Sequence, residues 1–131
     1  MEKEFVNYDL SLRMKTLGFN EPCFGYYLET KEWTPASYSR EGTVYPSNSN
    51  LLSDWVAAPT FSQTFRWFRD KYNLDSCLKP EIISGKKSYD FYIWIDNNED
   101  LEFGVTKIST YEEAELICLE KLIEIVEQKE K

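Results

Sequence analysis

The feature that most constrains the fold is a two-residue alternation of side chains over residues 89–95. One face of this run carries Tyr89, Phe91, Ile93 and Ile95. Because successive side chains of a strand point to opposite faces, the alternation predicts a β-strand with one buried face. The polar run 96–100 indicates a turn into a second alternating segment, 101–108. We therefore predict an antiparallel hairpin in this part of the chain.

The first predicted helix is short and lies near the start of the sequence. Leu10, Met14 and Leu17 share one face of a helix over residues 9–17. Gly18 follows directly, and glycine enters the left-handed conformation of a helix C-terminus at little cost. The sequence therefore predicts both the helix and the residue that ends it.

A second helix is predicted to begin after Thr60 and to end near Asn73. Thr60 and Gln63 match the capping box, in which the hydroxyl accepts a hydrogen bond from a free amide of the first turn and the Gln side chain reaches back to the start of the helix. An aromatic stripe follows at helical spacing, and we expect it to face a core. The stripe consists of Phe61, Phe65, Phe68 and Tyr72.

The last predicted helix has a wide apolar surface. Either Ser109 or Thr110 caps it, because a glutamate stands three residues after each. The main face consists of Tyr111, Ala114, Cys118, Leu122, Ile125 and Val126. The apolar surface continues on a flank formed by Leu116, Ile117 and Ile123. We expect this flank to meet a second copy of the chain, a host protein or the 31–55 segment, and residues 127–131 to form a solvated tail.

The remaining predicted strands are short. Residues 23–28 are rich in aromatics and predict a strand, and Trp33 begins or continues another. Residues 34–50 have the composition of a loop around a hairpin or an irregular excursion. Pro80 interrupts the strand over 77–83 or places it at a sheet edge. The pattern predicts an α+β fold with an antiparallel sheet of about four to five strands and three helices, in the order α-β-β-α-β-β-β-α.

Composition excludes several classes of chemistry. The chain has 131 residues, which suits a single domain without a linker over residues 1–131, and it contains no histidine. Ser-His-Asp and Cys-His catalysis and His-ligated zinc or iron sites are therefore excluded. An enzyme would depend on Asp, Glu, Lys, Tyr or Cys. We predict a protein that is not an enzyme and that uses no metal or cofactor.

Charge and cysteine content narrow the partners and the compartment. The net charge of -8 argues against binding duplex nucleic acid, whose phosphates require Lys and Arg. Cys23, Cys77 and Cys118 lack the spacing of a metal or disulfide framework, so we expect buried free thiols. No apolar run is long enough to span a membrane and no signal peptide is evident, so the predicted location is the cytoplasm.

Three stretches carry a resemblance to a known family. They are LGFNEPC at 17–23, APTFSQTFRWFR at 58–69, and the helix at 111–126. With residues 9–18 they resemble a small uncharacterised protein family of gut Bacteroidales and their phages. The resemblance implies an origin in a phage or other mobile element, and the host cytoplasm as the place of action. It implies no catalytic residues.

A tryptophan between two arginines is the main candidate for a ligand site. On a helical wheel Trp67 lies away from the aromatic stripe, so it is either exposed or covered by the 31–55 segment. If exposed, Trp67 could stack a base while Arg66 or Arg69 pairs a phosphate or carboxylate.

Two further patterns are better explained as turns. The oxygen spacing of residues 96–100 resembles the opening of a calcium loop, but Leu101 stands where that loop requires glycine. Lys86 and Lys87 follow a glycine without the spacing of a phosphate-binding loop, and we predict a charged turn there.

Three functions remain open at this point. The first is a non-enzymatic phage or mobile-element accessory protein, such as a host-defence antagonist, that binds a host protein or forms a homodimer. The second is a small-ligand protein that binds or sequesters a nucleotide signal. The third is an enzyme based on Asp, Glu or Tyr. The wide apolar helix, the acidic composition and the missing histidine favour the first.

Overall fold

The residues described by the computed structural model are 2–38, 44–45, 54–95, 101–103 and 108–130. They form two compact units, residues 1–63 and 64–131. Helices and antiparallel strands together confirm the predicted α+β class and the order of its elements. The prediction of a single domain over the whole chain stays a prediction.

The first unit contains a three-stranded antiparallel sheet and a separate strand pair. In the sheet, β1 (Gly25–Tyr27) lies between β2 (Trp33–Pro35) and β5 (Val56–Ala58). The separate pair is β3 (Ser37–Tyr38) with β4 (Val44–Tyr45), so part of the segment expected to be loop or hairpin is paired strand.

Helix α1 (Tyr8–Thr16) follows a single 3₁₀ turn (Glu2–Glu4) and packs on β5. Gly18 has a φ of 97°, in the left-handed region. The N–H of Phe19 donates to the carbonyl of Met14 at 3.0 Å, which closes the turn typical of a glycine-terminated helix. The predicted helix and its terminating glycine are confirmed.

Gly25 allows an indole ring to pack directly on β1. A Cβ atom on Gly25 would lie 2.7 Å from Cε2 of Trp33. The Trp33 ring also contacts the ring of Phe5, with centroids 5.0 Å apart. Around these rings the first unit has a buried cluster of Phe5, Tyr27, Val56 and Ala58, with Tyr8 and Trp33 half-buried against it.

Helix α2 (Phe61–Tyr72) begins and ends as predicted. The Thr60 hydroxyl accepts a hydrogen bond from the N–H of Gln63 at 3.2 Å, which confirms the cap. The Gln63 side chain donates to the carbonyl of Pro22 at 2.9 Å and to Glu21 at 3.2 Å. The helix start is thereby tied to the segment before β1.

The buried face of α2 differs from the predicted aromatic stripe. Phe68 is fully buried, but the other stripe members, Phe61, Phe65 and Tyr72, are half-buried. Trp67 is buried as well, and the centroid of its ring lies 5.0 Å from that of Phe68 and 5.3 Å from that of Tyr72. A wheel diagram misses this because it assigns position from the backbone, whereas a large indole reaches around the helix to its neighbours.

The second unit contains a sheet in the order β6-β7-β8. Its strands are β6 (Leu74–Ile83), β7 (Lys86–Ile95) and β8 (Leu101–Phe103). Ser84 and Gly85 join the first two, and both have positive φ, at 52° and 78°. Two consecutive left-handed residues are the geometry of a type I′ hairpin turn, which suits the strand twist. The predicted strand over 89–95 is confirmed within β7, and the part of its predicted partner that forms β8, 101–103, pairs with it as expected.

Two predictions around this hairpin are resolved by the structure. Pro80 lies within a continuous β6 at the edge of the sheet, opposite Tyr89, so the edge alternative is correct and the interruption is not. Lys86 and Lys87 belong to β7, because Ser84 and Gly85 complete the turn before them. The prediction of a turn at the two lysines is therefore wrong.

Among the described residues the strands form three separate antiparallel sheets, in place of the single sheet of four to five strands that was expected. Helix α2 separates β5 from β6 along the chain, and each unit completes its own sheet. Spacing along a sequence identifies strands but does not say which of them share a sheet.

Helix α3 (Tyr111–Lys129) packs on β6 and β7. The Thr110 hydroxyl accepts from the N–H of Glu113 at 3.1 Å, which decides the cap between the two candidates. The helix continues to Lys129, so the predicted tail is helical over 127–129, although Gln128 and Lys129 are exposed as a solvated segment requires. The Glu, Gln and Lys side chains of residues 127–129 are good helix formers and allow the helix to continue.

Candidate binding surface on the second sheet

The Arg66, Trp67 and Arg69 group does not form one accessible ligand site. Trp67 is buried, and its ring lies beside Phe68 with the ammonium of Lys71 5.1 Å from its centroid. Arg66 and Arg69 are exposed. A base cannot stack on a ring whose faces are occupied by protein, so the ligand site proposed from these three residues lacks its central member.

The three flank residues of α3 differ in their burial. Ile123 is fully buried within the single chain, which corrects its prediction as an interface residue. The wide apolar arc of the helix is used inside the protein over most of its width. Ile117 is exposed and Leu116 is half-buried, so an interface at these two residues stays a prediction.

The three thiols differ in their surroundings. Cys23 and Cys118 are buried and free, as predicted, and burial raises the pKa of each to about 12. Both are therefore neutral thiols near pH 7 and poor nucleophiles. Cys77 is exposed, which corrects the prediction that it is buried. Partial desolvation raises its pKa, and the charge of Lys79 opposes that shift.

The remaining predictions concern cation binding and membrane-spanning helices. The residues 96–100 lie outside those the structure describes. Within the described residues, no group of three or more Cys, Asp or Glu side chains is placed to hold a metal ion. The same part of the chain has no helix long and apolar enough to cross a membrane.

The strongest candidate for a functional surface is the outer side of β6. This strand is ten residues long and forms one edge of its sheet. No strand in the described part of the chain pairs with its other side. Such an edge offers unpaired backbone groups to a further strand.

The hydrogen bonds of β7 show which backbone groups of β6 face outward. Tyr89 donates to the carbonyl of Ile108 at 2.8 Å and accepts from its N–H at 3.4 Å. Tyr89 therefore points its backbone groups away from β6 and makes no ladder bond with Pro80, its partner there. Antiparallel ladders alternate between bonded and non-bonded pairs. The residues of β6 that bond to β7 are thus Asp75, Cys77, Lys79, Glu81 and Ile83.

The intervening residues define what we call the outer edge of β6. It consists of the outward backbone groups of Leu74, Ser76, Leu78, Pro80 and Ile82. Pro80 has no N–H and its position is compatible only with this outward side. Leu74 is fully buried, whereas Ser76 and Leu78 are half-buried and keep both a donor and an acceptor, so the groups of Ser76 and Leu78 are the part able to accept another strand.

The side chains along β6 alternate between the face under α3 and the open face. Ser76 hydrogen-bonds to Cys118 of α3, which places it on the covered face. Asp75, Cys77 and Lys79 alternate with it and are exposed. Across the ladder from Asp75 stands Trp94, whose side chain is 39% exposed. The open face beside the outer edge therefore carries an acid, a thiol and a base in that order.

Sequence reasoning did not find this surface, although two signals pointed to it. Pro80 indicated an edge strand, but it does not by itself show which neighbouring residues point their backbone groups outward. The Ser84-Gly85 dipeptide would have given the register of β6 against β7, because a two-residue turn of this type determines strand pairing. With the register known, the alternation from Asp75 to Lys79 follows directly.

Comparison with known proteins provides no relative for this chain. No family model matches the sequence, and no curated protein or solved structure is significantly similar to it. The fold and the outer edge of β6 are accordingly the observations on which a functional proposal rests.

Proposed function

We propose that this chain is a non-enzymatic binding protein that holds another protein chain at the outer edge of β6. The observation that carries the proposal is a ten-residue edge strand whose outward backbone groups meet no strand among the described residues. An added strand gains main-chain hydrogen bonds along such an edge, and the neighbouring side chains supply specificity.

The setting follows from the family resemblance. We propose an accessory protein of a phage or other mobile element that acts in the host cytoplasm, on a host protein or on a copy of itself. Its acidic composition fits a protein partner better than duplex nucleic acid, since 23 acidic side chains outnumber 15 basic ones.

The two other functions receive less support. Nucleotide binding through Arg66, Trp67 and Arg69 requires an accessible indole, and Trp67 is buried. Catalysis by a thiolate would require a lowered pKa, and burial raises the pKa of Cys23 and Cys118. Neither observation bears on a reaction based on Asp, Glu or Tyr, for which an assay of enzymatic activity is the test.

The test compares the wild type with a variant in which one outward N–H is removed. Ser76→Pro removes a donor from the outer edge and leaves the bonds between β6 and β7 intact, so we expect it to fold but not to bind. It also removes the hydrogen bond to Cys118, a loss that Ser76→Ala reproduces while keeping the outward N–H. Cys77→Pro is the matched control, because it removes a ladder bond and should lower stability. Circular dichroism would report folding, and sedimentation velocity would report binding over a concentration series and in host-cell extract.

Two results would contradict this function. The first is equal association of the wild type and the folded Ser76→Pro variant. The second is a nucleotide that raises the melting temperature strongly; at about 100 times its dissociation constant a ligand stabilises by roughly 2.7 kcal/mol.

A further inference from the structure

We infer that the chain bound at the outer edge of β6 is a second copy of this protein, with the two β6 strands antiparallel and Cys77 opposite Cys77 of the second copy. This inference rests on the proposed function and names its partner. It follows from the charges, the thiol and the direction of the backbone groups along β6.

The backbone restricts where the twofold axis can lie. Only alternate residues of β6 present N–H and C=O groups outward, so the two strands bond only if outward residues oppose outward residues. The axis must then coincide with a residue position and cannot fall between two. With the axis at Cys77, Ser76 opposes Leu78 of the second copy, and each both donates and accepts a hydrogen bond.

The charges select this register among those the backbone allows. With the axis at Cys77, Asp75 faces Lys79 of the second copy, and twofold symmetry repeats the pair on the other side. An axis at Leu78 would place Asp75 opposite Glu81, and an axis at Lys79 would place two lysines opposite each other. Directly opposed like charges destabilise a strand pair, whereas opposite charges stabilise it.

Axes at Asp75 or Glu81 would likewise oppose two like charges, and two further registers are weaker for other reasons. An axis at Pro80 would pair Lys79 with Glu81, but it would place two prolines at the centre, where neither strand has an N–H to donate. An axis at Ser76 would leave both Asp75 and Lys79 without an oppositely charged partner. The register centred on Cys77 alone combines complete central hydrogen bonding with complementary charge.

The same register brings two exposed thiols together. Cys77 bonds to β7 within its own sheet, so across the new interface it forms a non-hydrogen-bonded pair. Such pairs have Cα atoms about 4.5 Å apart, within the range of about 4.4–6.8 Å that a disulfide spans. Cys77 is accessible in the single chain, so its cross-linking reports the register directly.

A charge-reversal experiment tests the pairing. Asp75→Lys and Lys79→Asp each create two like-charge contacts, and we expect either to weaken the dimer by about tenfold in sedimentation equilibrium. Both side chains are exposed, so the variants should remain folded. An equimolar mixture of the two variants restores every opposite-charge contact and should form a heterodimer as tight as the wild type. A mixture no tighter than the separate variants would overturn this register.

A cross-linking experiment tests the position of the axis. Copper(II)–phenanthroline with dissolved oxygen oxidises two adjacent thiols to a disulfide, so the wild type should give a covalent dimer rapidly. The matched control is Cys77→Ser with Glu81→Cys, which keeps Asp75 and Lys79 and moves the thiol along the same face. We expect that control to cross-link at least tenfold more slowly, because its two thiols lie on opposite sides of the axis.

The outcomes separate this inference from the proposed function. A dimer that neither cross-links through Cys77 nor shows charge rescue overturns the register, while binding at the outer edge stands. A wild type that is monomeric at all concentrations overturns the second copy as partner. If the amides of its outer edge also gain no protection from hydrogen exchange in host-cell extract, the proposed function is wrong as well.

Discussion

At the scale of single residues, the packing of the first unit depends on a missing side chain. The Trp33 indole occupies the space where any residue other than glycine would place its Cβ atom. We therefore expect Gly25→Ala to lower the free energy of unfolding by about 1–3 kcal/mol, the usual cost of overpacking. Thermal or urea unfolding would measure the change.

A double-mutant cycle provides the control for this contact. In a Trp33→Leu background the ring is absent, so Gly25→Ala should cost much less than in the wild type. An equal cost in the two backgrounds would show that the alanine is unfavourable for a reason unrelated to Trp33.

At the scale of elements, the start of α3 depends on one hydroxyl. Two residues could cap this helix by sequence, and the structure assigns the role to Thr110. Thr110→Ala should lower the free energy of unfolding by about 0.5–2 kcal/mol, the typical value of an N-cap. Ser109→Ala is the matched control and should change stability little. The reverse order of the two effects would contradict the assigned cap.

The buried face of α2 gives a second prediction at this scale. Phe68 is fully buried, whereas Phe65 is half-buried. Phe68→Ala should therefore cost about 3–5 kcal/mol, and Phe65→Ala clearly less, in chemical denaturation. Equal losses would show that Phe65 is buried as deeply as Phe68, as the aromatic stripe predicted from the sequence requires.

Elements whose burial follows local spacing were predictable from the sequence. The end of α1 at Gly18, the strand over 89–95 and the capped start of α3 each depend on residues within a few positions of one another. Burial that depends on distant parts of the chain was not predictable. For Trp67 the sequence left exposure and coverage by the 31–55 segment open, and it placed Ile123 on a possible interface, because a helical wheel contains no information about what packs against a residue.

Part of the candidate surface could be predicted from the sequence. Pro80 indicated an edge strand, and the positions of Asp75, Cys77 and Lys79 were known. Which of their neighbours point backbone groups outward depends on the bond between Tyr89 and Ile108. That bond joins residues 19 positions apart. The two-residue turn at Ser84 and Gly85 leads to the same alternation, but the sequence had placed the turn at the following lysines.

At the scale of the whole molecule, two buried thiols should make stability depend on alkaline pH. Burial raises the pKa of Cys23 and Cys118 from 9.0 to about 12, so the unfolded chain loses these protons first. The contribution of these thiols to the free energy of unfolding should be constant below about pH 9 and then fall, by at most about 1.4 kcal/mol per pH unit for each thiol. Urea unfolding at several pH values would measure the slope.

Variants of single thiols assign that slope. Cys118→Ala should lower stability overall but flatten the alkaline decline, because one titrating group is removed. Cys77→Ser removes an exposed thiol and should leave most of the decline in place. A decline that does not change in Cys118→Ala would show that its thiol is not protected by burial.

The outer edge of β6 is the central feature of this account, and amide hydrogen exchange tests it most directly. A contact formed by one strand edge buries little surface, so the dimer should dissociate on dilution. At high concentration the amides of Ser76 and Leu78 should be as protected as those of Cys77 and Lys79. On dilution Ser76 and Leu78 should lose protection while the other two keep it. Rapid exchange of Ser76 and Leu78 at every concentration, beside protected neighbours, would show that the edge stays open and that no second copy binds there.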